Sequence, residues 1–413
     1  MTSNAEALSL KEFKGSDQEQ IVQKTFRVIT TNPAFIPFIN LEIYKSNAED
    51  GTSFKDAYIT LQATHDCMRR RNNKFLTEIP DCEVVGIREL LDRNILEQFF
   101  EDGVDAIDNS SRADNNICQS FLVLLNYLHD IETHEEAIGR LIDTNSSTTT
   151  KTQITTALAH HLFSQLVPHR KYEINEFTRN LPETCRCGCN IYICRGDTSL
   201  GSQGTWHGRA DIMVNNTVAV AVTNKLTMEN EENNTDEEKP QSKHRKMETD
   251  IKGYKRRGSF LLDPNIMKKI LAEAITNGFA QVNKNRSTLA NFMIPTFGVT
   301  SDYVSICMYD PENDCLLHID DELELWASRG ECHYQLDPVV VIIIWLILNF
   351  TVLTKKNLAS EANLHKSGLH LQLNESLQYY KDTRVKTKFS LQPPKGRPWK
   401  LANKKFKQRT TRS

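Results

Sequence analysis

A short apolar segment with a polar turn in its middle constrains the fold more than any other part of the chain. Residues 212–222 read Ile-Met-Val-Asn-Asn-Thr-Val-Ala-Val-Ala-Val, so two apolar runs flank Asn215-Asn216. Asparagine tolerates the backbone of tight turns, and β-branched residues favour strands. The segment therefore predicts two short apolar strands joined by a tight turn.

Helical and strand patterns surround this strand pair. Before it, Ile154 begins an apolar repeat at intervals of four, and His160 and His161 lie on that helix, where half-buried histidines without a chemical role are the ordinary case. After it, Asp263-Pro264 is a helix start signal. Three further strands are predicted, at residues 292–299, 303–309 and 315–319. This order predicts an α/β or α+β fold, a mixed central sheet flanked by helices over residues 150–355.

The remaining chain divides by composition. Residues 1–30 are polar and are predicted to be a disordered lead-in, and residues 31–145 to be a helical N-terminal region. Three helices are expected in that region, one starting near Ile87 and two at 117–128 and 135–142. Residues 226–258 carry an acidic block and then a basic block with few apolar residues, which predicts a charged disordered insertion within the core.

The most apolar segment is Pro338–Leu353. A helix that crosses a bilayer needs about 20 such residues, and this segment is shorter. It therefore suits a buried final helix or a core strand, with a membrane-associated segment as the alternative.

Cysteine content indicates a reducing compartment. The chain has ten cysteines and a polar N-terminus without the apolar core of a secretion signal, so we expect reduced thiols in an intracellular protein of the nucleus or cytoplasm. Four of them form one run, Cys185, Cys187, Cys189 and Cys194. A loop could fold these four around Zn²⁺, although zinc sites more often use two separated pairs, and reduced thiols in a loop are the alternative.

The C-terminal end is strongly basic, whereas the whole chain has a net charge of -3. Residues 381–413 hold twelve lysines and arginines against Asp382 alone, and three prolines argue against regular structure. A solvated disordered tail is the simplest interpretation. Sharper ones are an arm that binds nucleic acid, or a nuclear-import signal around Lys404-Lys405.

Two short motifs bracket the strand pair, Gly208-Arg209-Ala210-Asp211 before it and Thr223-Asn224-Lys225 after it. In their order among the predicted elements they resemble the PD-(D/E)XK nuclease superfamily, whose second strand starts with an aspartate and whose third ends in acid-x-lysine. The resemblance implies that Asp211 is a Mg²⁺ ligand and Lys225 the catalytic lysine. It also implies that Gly208 and Arg209 lie at the substrate. Hydrolysis of a phosphodiester needs hard oxygen ligands for Mg²⁺ and a cation near the developing charge.

Thr223 departs from this pattern, because it stands where the family has an acid. Either the site is degenerate and the domain is a non-catalytic relative, or another acid, such as Glu273 or one of the insertion, completes it. Geometry provides a check. If Asn215-Asn216 formed a strict two-residue turn, Thr223 and Lys225 would point to the opposite face from Asp211, so the constellation requires an odd-length loop or a bulge.

Three functional classes remain open at this stage. The first is a nuclease-like protein, active or inactive, that associates with nucleic acid and uses Mg²⁺ if it is active. The second is a non-enzymatic interaction protein, and the third a membrane-associated protein held by residues 338–353. No G-x-x-x-x-G-K loop and no G-x-S-x-G elbow is present in the sequence.

Overall fold

The structure is a computed structural model that describes residues 8–33, 35–61, 84–108, 115–142, 149–224, 264–287, 289, 291–329, 334–354 and 358–386. The α-helices of these residues are α1 Asp17–Thr31, α2 Ile87–Leu90, α3 Arg93–Asp102, α4 Val104–Asp108, α5 Asn115–His129, α6 Ile131–Leu141, α7 Lys151–Leu158, α8 Pro264–Asn285, α9 Pro338–Leu348, α10 Phe350–Leu353, α11 Leu358–Glu361, α12 Leu369–Leu373 and α13 Leu377–Lys381. The strands are β1 Pro37–Asn40, β2 Ile43–Ser46, β3 Ile59–Leu61, β4 Val84–Gly86, β5 Tyr172–Asn175, β6 Arg195–Gly196, β7 Ser199–Leu200, β8 Gly208–Arg209, β9 Ile212–Val214, β10 Val218–Val222, β11 Ile294–Val299, β12 Tyr303–Asp310, β13 Cys315–Ile319, β14 Leu323–Glu324, β15 Trp326–Arg329 and β16 Tyr334–Leu336.

One mixed ten-stranded sheet organises the molecule, as the sequence predicts. Nine of its strands follow the order β4-β1-β13-β12-β11-β10-β9-β5-β6, and β14 pairs with β12. Most neighbours are antiparallel, but β10 runs parallel to β11, and β5 parallel to β6. Helix α8 connects the two parallel strands β10 and β11 across one face of the sheet, as parallel neighbours require a crossover connection.

Helices cover both faces of this sheet, and the side chains of the central strands alternate between two cores. Val218, Val220 and Val222 of β10 pack with the N-terminal helices and α9, whereas Ala219 and Ala221 pack beneath α8. The small alanines allow α8 to lie close to the sheet. The strand is buried on both sides, which explains why its sequence is an unbroken apolar run.

The N-terminal region differs from its prediction in two respects. Residues 17–30, expected to be disordered, form all but the last residue of α1, because Ser16 caps the helix and Val22, Phe26 and Ile29 bury one face of it. The region at 31–145 is also not purely helical, since β1 and β4 join the main sheet through pairing of β1 with β13. The three helices predicted there are present as α2–α3, α5 and α6.

The apolar segment 338–353 is a buried helix interrupted near Asn349. Asp337 caps α9, and its Val341–Ile347 stretch is fully buried against α1 and α5. Within the described ranges, no helix has both the length and the apolar character that spanning a bilayer demands. The segment 338–353 is not the final helix of the described residues, because α11 to α13 follow it. The predicted insertion at 226–258 and the tail beyond residue 386 lie outside the described residues.

Candidate metal sites

The turn of the β9–β10 hairpin decides which side chains share a face with Asp211. Val214 pairs with Val218, so the loop has three residues, and its Asn215 and Asn216 both have positive φ. Continuing this register places Asp211 opposite Ala221, and Thr223 follows two residues later on the same face. The odd-length loop that the nuclease constellation requires is therefore present. Lys225 lies outside the described residues.

Asp211 is held at the start of β9 by two contacts. Its Oδ2 accepts a hydrogen bond from the backbone N–H of Val222 at 2.8 Å, and its Oδ1 lies 2.6 Å from the Nζ of Lys151, the first residue of α7. The side chain is 13% exposed. Burial would raise the pKa of this carboxyl, but the charges of Lys151 and Lys269 outweigh it and lower the pKa below its usual value. Asp211 is thus ionised at neutral pH.

Glu273 is the second acid of this site; it lies on α8 and is fully buried. Neither of its carboxylate oxygens has a hydrogen-bond partner. Burial raises the pKa of Glu273 to about 8, with a further increase from the charge of Asp211, while Lys269 and Lys151 oppose the shift. Two acids and two lysines therefore influence one another here. We call Asp211, Glu273, Lys151 and Lys269 the carboxylate–lysine cluster.

The other residues that the resemblance implied have structural contacts. The backbone N–H and the Oγ1 of Thr223 both donate to the carbonyl of Val299, at 2.9 and 3.3 Å, which joins β10 to β11. The guanidinium of Arg209 lies 4.3 Å from the ring centroid of Phe177. A side chain at Gly208 would lie 2.5 Å from the ring of Phe54, so packing alone requires glycine there.

Sequence reasoning named Glu273 as a substitute acid but missed both lysines. Lys151 follows the Thr149-Thr150 helix start, and Lys269 stands four residues before Glu273 on α8, so the pair faces one side of the helix. This pair of opposite charges at positions i and i+4, on a helix whose stripes are otherwise apolar, was the sequence signal that could have identified Lys269. Lys151 offered none, because its contact with Asp211 joins residues 60 positions apart.

A second cluster of four potential ligands lies on the other face of the sheet. His161, Cys185, Cys187 and Cys189 offer ligand atoms that all lie within 4.8 Å of one another, and we call them the His–Cys cluster. The Nε2 of His161 is 3.3 Å from the Sγ of Cys185 and 3.1 Å from that of Cys187. The two sulfurs are 3.4 Å apart. A set of one imidazole and three thiols at these distances could hold a metal ion.

Local backbone conformation builds this cluster. A π-helical turn, Ala159–Phe163, follows α7 and places His161 against the cysteine loop. Gly188 between two of the cysteines has a φ of 106°, a conformation that other residues rarely adopt. The carbonyl of Cys187 accepts a hydrogen bond from Arg140 at 3.0 Å, which fixes the loop to α6.

The cluster corrects the predicted ligand set. Cys194 is exposed and lies outside the group, and His161 takes the fourth place. Burial raises the pKa of the Cys185 and Cys189 thiols, with further increases from the neighbouring cysteines, and burial lowers the pKa of His161 to about 3. The sequence could not show that a turn 24 residues earlier supplies the fourth ligand.

Comparison with known proteins gives no name for this arrangement. No protein-family model, no curated protein and no solved structure matches the chain. The resemblance to the PD-(D/E)XK superfamily therefore stays a prediction. The carboxylate–lysine cluster and the His–Cys cluster are the features from which a function can be proposed.

Proposed function

We propose that the chain is a nuclease-like phosphodiester hydrolase whose divalent metal ion is held by Asp211 and Glu273. The observation that carries this proposal is the fully buried Glu273 carboxyl, both of whose oxygens lack hydrogen-bond partners. A buried polar group without a partner costs about 1–3 kcal/mol, and more when it is charged. Such a group requires a compensating function, and a cation supplies one.

The residues present fit Mg²⁺. Magnesium prefers one or two carboxylates together with water and phosphate oxygens, and these two acids share the α8 face of the sheet. When bound there, the ion would polarise the phosphodiester and activate a water molecule. Asp211 would contribute a permanent negative charge. Glu273 would lose its proton on binding the ion, since a nearby cation lowers the pKa of a carboxyl.

The two lysines would act on the substrate side of this chemistry. The charges of Lys151 and Lys269 both act on the two acids. In the proposed complex, their ammonium groups would lie beside the phosphoryl oxygen that gains charge. A fixed ammonium group at that position stabilises the transition state. Lys151 would exchange its ion pair with Asp211 for the phosphate.

The same ion pair supports a second candidate function. The Lys151 Nζ lies 2.6 Å from the Oδ1 of Asp211. It therefore forms an ion pair with an oxygen that a metal ion would need as a ligand. A domain in which this lysine permanently replaces the ion would bind nucleic acid without cleaving it. This alternative corresponds to the degenerate nuclease relative that Thr223 suggests.

The test measures cleavage and metal binding by the full chain. We expect nicking of plasmid DNA or cleavage of single-stranded DNA or RNA with Mg²⁺ or Mn²⁺, and its loss in Asp211→Asn and Glu273→Gln. Glu97→Gln, an exposed change on α3, is the matched control. Calorimetric titration with Mn²⁺ should show one site that both site variants lose. Binding of nucleic acid with neither Mn²⁺ binding nor cleavage would favour the non-cleaving alternative. Absence of Mn²⁺ binding would refute the proposed centre, and Mn²⁺ binding without cleavage of any substrate would refute the hydrolase activity.

We propose further that the ion of the His–Cys cluster is Zn²⁺. Three thiolates and one imidazole form a closed, soft, tetrahedral set of the kind that structural zinc prefers. Sulfurs bound to one zinc ion at the usual bond length are about 3.8 Å apart, so Cys185 and Cys187, at 3.4 Å, would separate only slightly. The ion would join the cysteine loop to the end of α7, and therefore to the helix that carries Lys151.

Metal content distinguishes the two possible ligand sets. The chain purified from cells should contain one zinc per molecule by elemental analysis, and Cys187→Ser or His161→Asn should lose it. Cys194→Ser is the matched control and should retain zinc in full. Loss of zinc in Cys194→Ser but not in His161→Asn would restore the four-cysteine set that the sequence predicts, and a chain without zinc would refute the site.

A further inference from the structure

A basic cavity lies where the C-terminal end of α8 meets the segment that follows α13. Its volume is about 580 Å³, and its lining includes Lys284, Lys381, Arg384 and Lys386 with Asp382 as the one acid. We infer that this cavity binds the sugar–phosphate backbone of a nucleic-acid strand. The site is separate from both metal clusters, so this inference does not depend on either proposed metal.

Hydrogen bonds hold the walls of the cavity in place. Asn283 of α8 donates from its Nδ2 to the carbonyls of Tyr380 and Thr383, at 3.1 and 2.9 Å. At the other wall, the N–H of Lys386 donates to the carbonyl of Ser199 at 2.9 Å, and Val385 forms a β-bridge with Leu200. The cavity is therefore pre-formed, and its basic groups are not carried by a free tail.

The positive charge of this cavity is only partly compensated. Its four basic side chains and one acid give a net charge of +3. Lys386 pairs with Glu173 at 2.7 Å, and Asp382 accepts hydrogen bonds from Gln378, an uncharged residue. In the part of the chain that the structure describes, Lys284 and Arg384 have no acidic partner within ion-pair distance. Converging like charges in a fixed cavity favour an anion between them.

The anion that fits best is an extended one. Arginine binds phosphate through two parallel hydrogen bonds, and lysine adds a point charge, so Arg384 with two lysines provides contacts for successive phosphates. The sequence continues beyond Lys386 with nine more basic residues and no acid, which suits a chain of phosphates better than a single one. Lys284 is also about 16 Å along α8 from Glu273, at 1.5 Å per residue. One strand could thus contact both positions.

The experiment measures binding of a fluorescein-labelled single-stranded oligonucleotide to the full chain by anisotropy, over a range of salt concentrations and with EDTA present. Lys284→Glu/Arg384→Glu should bind at least about tenfold more weakly at low salt. Loss of two phosphate contacts should also reduce the slope of log K against log salt by about 1.4. The control variant, Lys24→Glu/Lys45→Glu, makes the same change of charge at exposed positions elsewhere and retains Lys284 and Arg384.

Equal loss in the control variant and the cavity variant would overturn the inference, because only overall charge would then matter. If the reversal variant does not fold, as judged by circular dichroism, Lys284→Gln/Arg384→Gln removes the same charges and should still weaken binding more than Lys24→Gln/Lys45→Gln. A mononucleotide at equal phosphate concentration should not displace the strand. Full displacement would show that the cavity holds a single phosphate, and the strand assignment would be wrong. EDTA keeps these results independent of whether Asp211 and Glu273 bind Mg²⁺.

Discussion

The carboxylate–lysine cluster and the His–Cys cluster are both groups of four buried or half-buried side chains, but they balance charge in opposite ways. In the first, Lys151 forms an ion pair with Asp211, and Glu273 remains neutral because its pKa is about 8. In the second, the thiols of Cys185 and Cys189 keep their protons because burial raises their pKa. The first cluster includes its own cations, Lys151 and Lys269, and a metal ion could replace them beside the carboxylates. The second has no lysine or arginine among its members, and burial lowers the pKa of His161 to about 3, so an added ion is needed to stabilise its thiolates. This contrast predicts an exchangeable ion in one cluster and a permanent ion in the other.

The largest expected effect is loss of the permanent ion. Cys187→Ser should destabilise the chain by about 5 kcal/mol, which is part of the roughly 10–16 kcal/mol that structural zinc contributes to small domains. Urea unfolding of the zinc-loaded wild type and the variant measures the difference. Cys194→Ser should unfold like the wild type. A change below about 1 kcal/mol in Cys187→Ser would remove the distinction between the two clusters.

The next effect is the pH dependence that Glu273 creates. Its folded pKa is raised to about 8 from an unfolded value near 4.5, so its stabilising contribution is fully present below the unfolded value. That contribution is lost as the pH rises toward 8, by about 3–4 kcal/mol between pH 5 and pH 8. Glu273→Gln should therefore become more stable than the wild type as the pH increases from 5 to 8. Unfolding of both proteins in urea at each pH, with EDTA present, checks this.

Addition of Mg²⁺ sharpens the same measurement. An ion bound to Glu273 favours its ionised form, so the wild type should lose less stability with pH when Mg²⁺ is present. Glu273→Gln should show no such dependence on the ion. Identical pH profiles of the wild type with and without Mg²⁺ would contradict an exchangeable ion at this cluster.

Removing Lys151, one of the two lysines of the carboxylate–lysine cluster, should have an intermediate effect. Lys151→Ala leaves Asp211 with one cation fewer and should cost about 2 kcal/mol at pH 7, less than a fully buried pair because the lysine side chain is 33% exposed. The pKa of Asp211 is lowered in the folded state, so this loss should shrink as the pH falls through that pKa. Thermal unfolding at pH 7 and pH 3 measures both values, with Lys24→Ala as the control. An equal loss at both pH values would mean that packing, not charge, is responsible.

The smallest expected effect concerns Arg209, which the family resemblance placed at the substrate. Its guanidinium lies over Phe177, and this contact should contribute about 0.5–1 kcal/mol. A double-mutant cycle with Arg209→Gln and Phe177→Ala measures it. If Arg209 also binds phosphate, Arg209→Gln should reduce nucleic-acid cleavage or binding more than Phe177→Ala does. Equal reductions would leave Arg209 with packing alone.

Sequence patterns predicted the sheet and most of its helices because hydrophobic periodicity records burial directly. Cys315–Ile319 and the helix from Pro264 have the predicted positions, and the α/β class is confirmed. The prediction of a disordered lead-in at residues 1–30 was wrong over α1. This helix is amphipathic, and its low average hydrophobicity resembles that of a disordered segment. The roles of β1 and β4 were missed because pairing of residues 280 positions apart leaves no local pattern.

The sites were less predictable than the fold, because they depend on register and on contacts distant in sequence. Asp211 was named because of the family resemblance, and three of the four His–Cys cluster ligands could be named from their type and spacing. His161 could not, since its role depends on the π-helical turn after α7. Whether Thr223 faces Asp211 depended on a loop length that the letters Asn-Asn did not specify.

That loop has a consequence for how this region tolerates insertions and deletions. Because Asn215, Asn216 and Thr217 form an odd-numbered connection, each side chain of β10 has its present side of the sheet. Deletion of one codon there would exchange the two sides, moving the valines under α8 and the alanines into the opposite core. Insertion of two codons would preserve the sides. The protein should therefore tolerate in-frame insertions of an even number of residues at this loop better than insertions of an odd number.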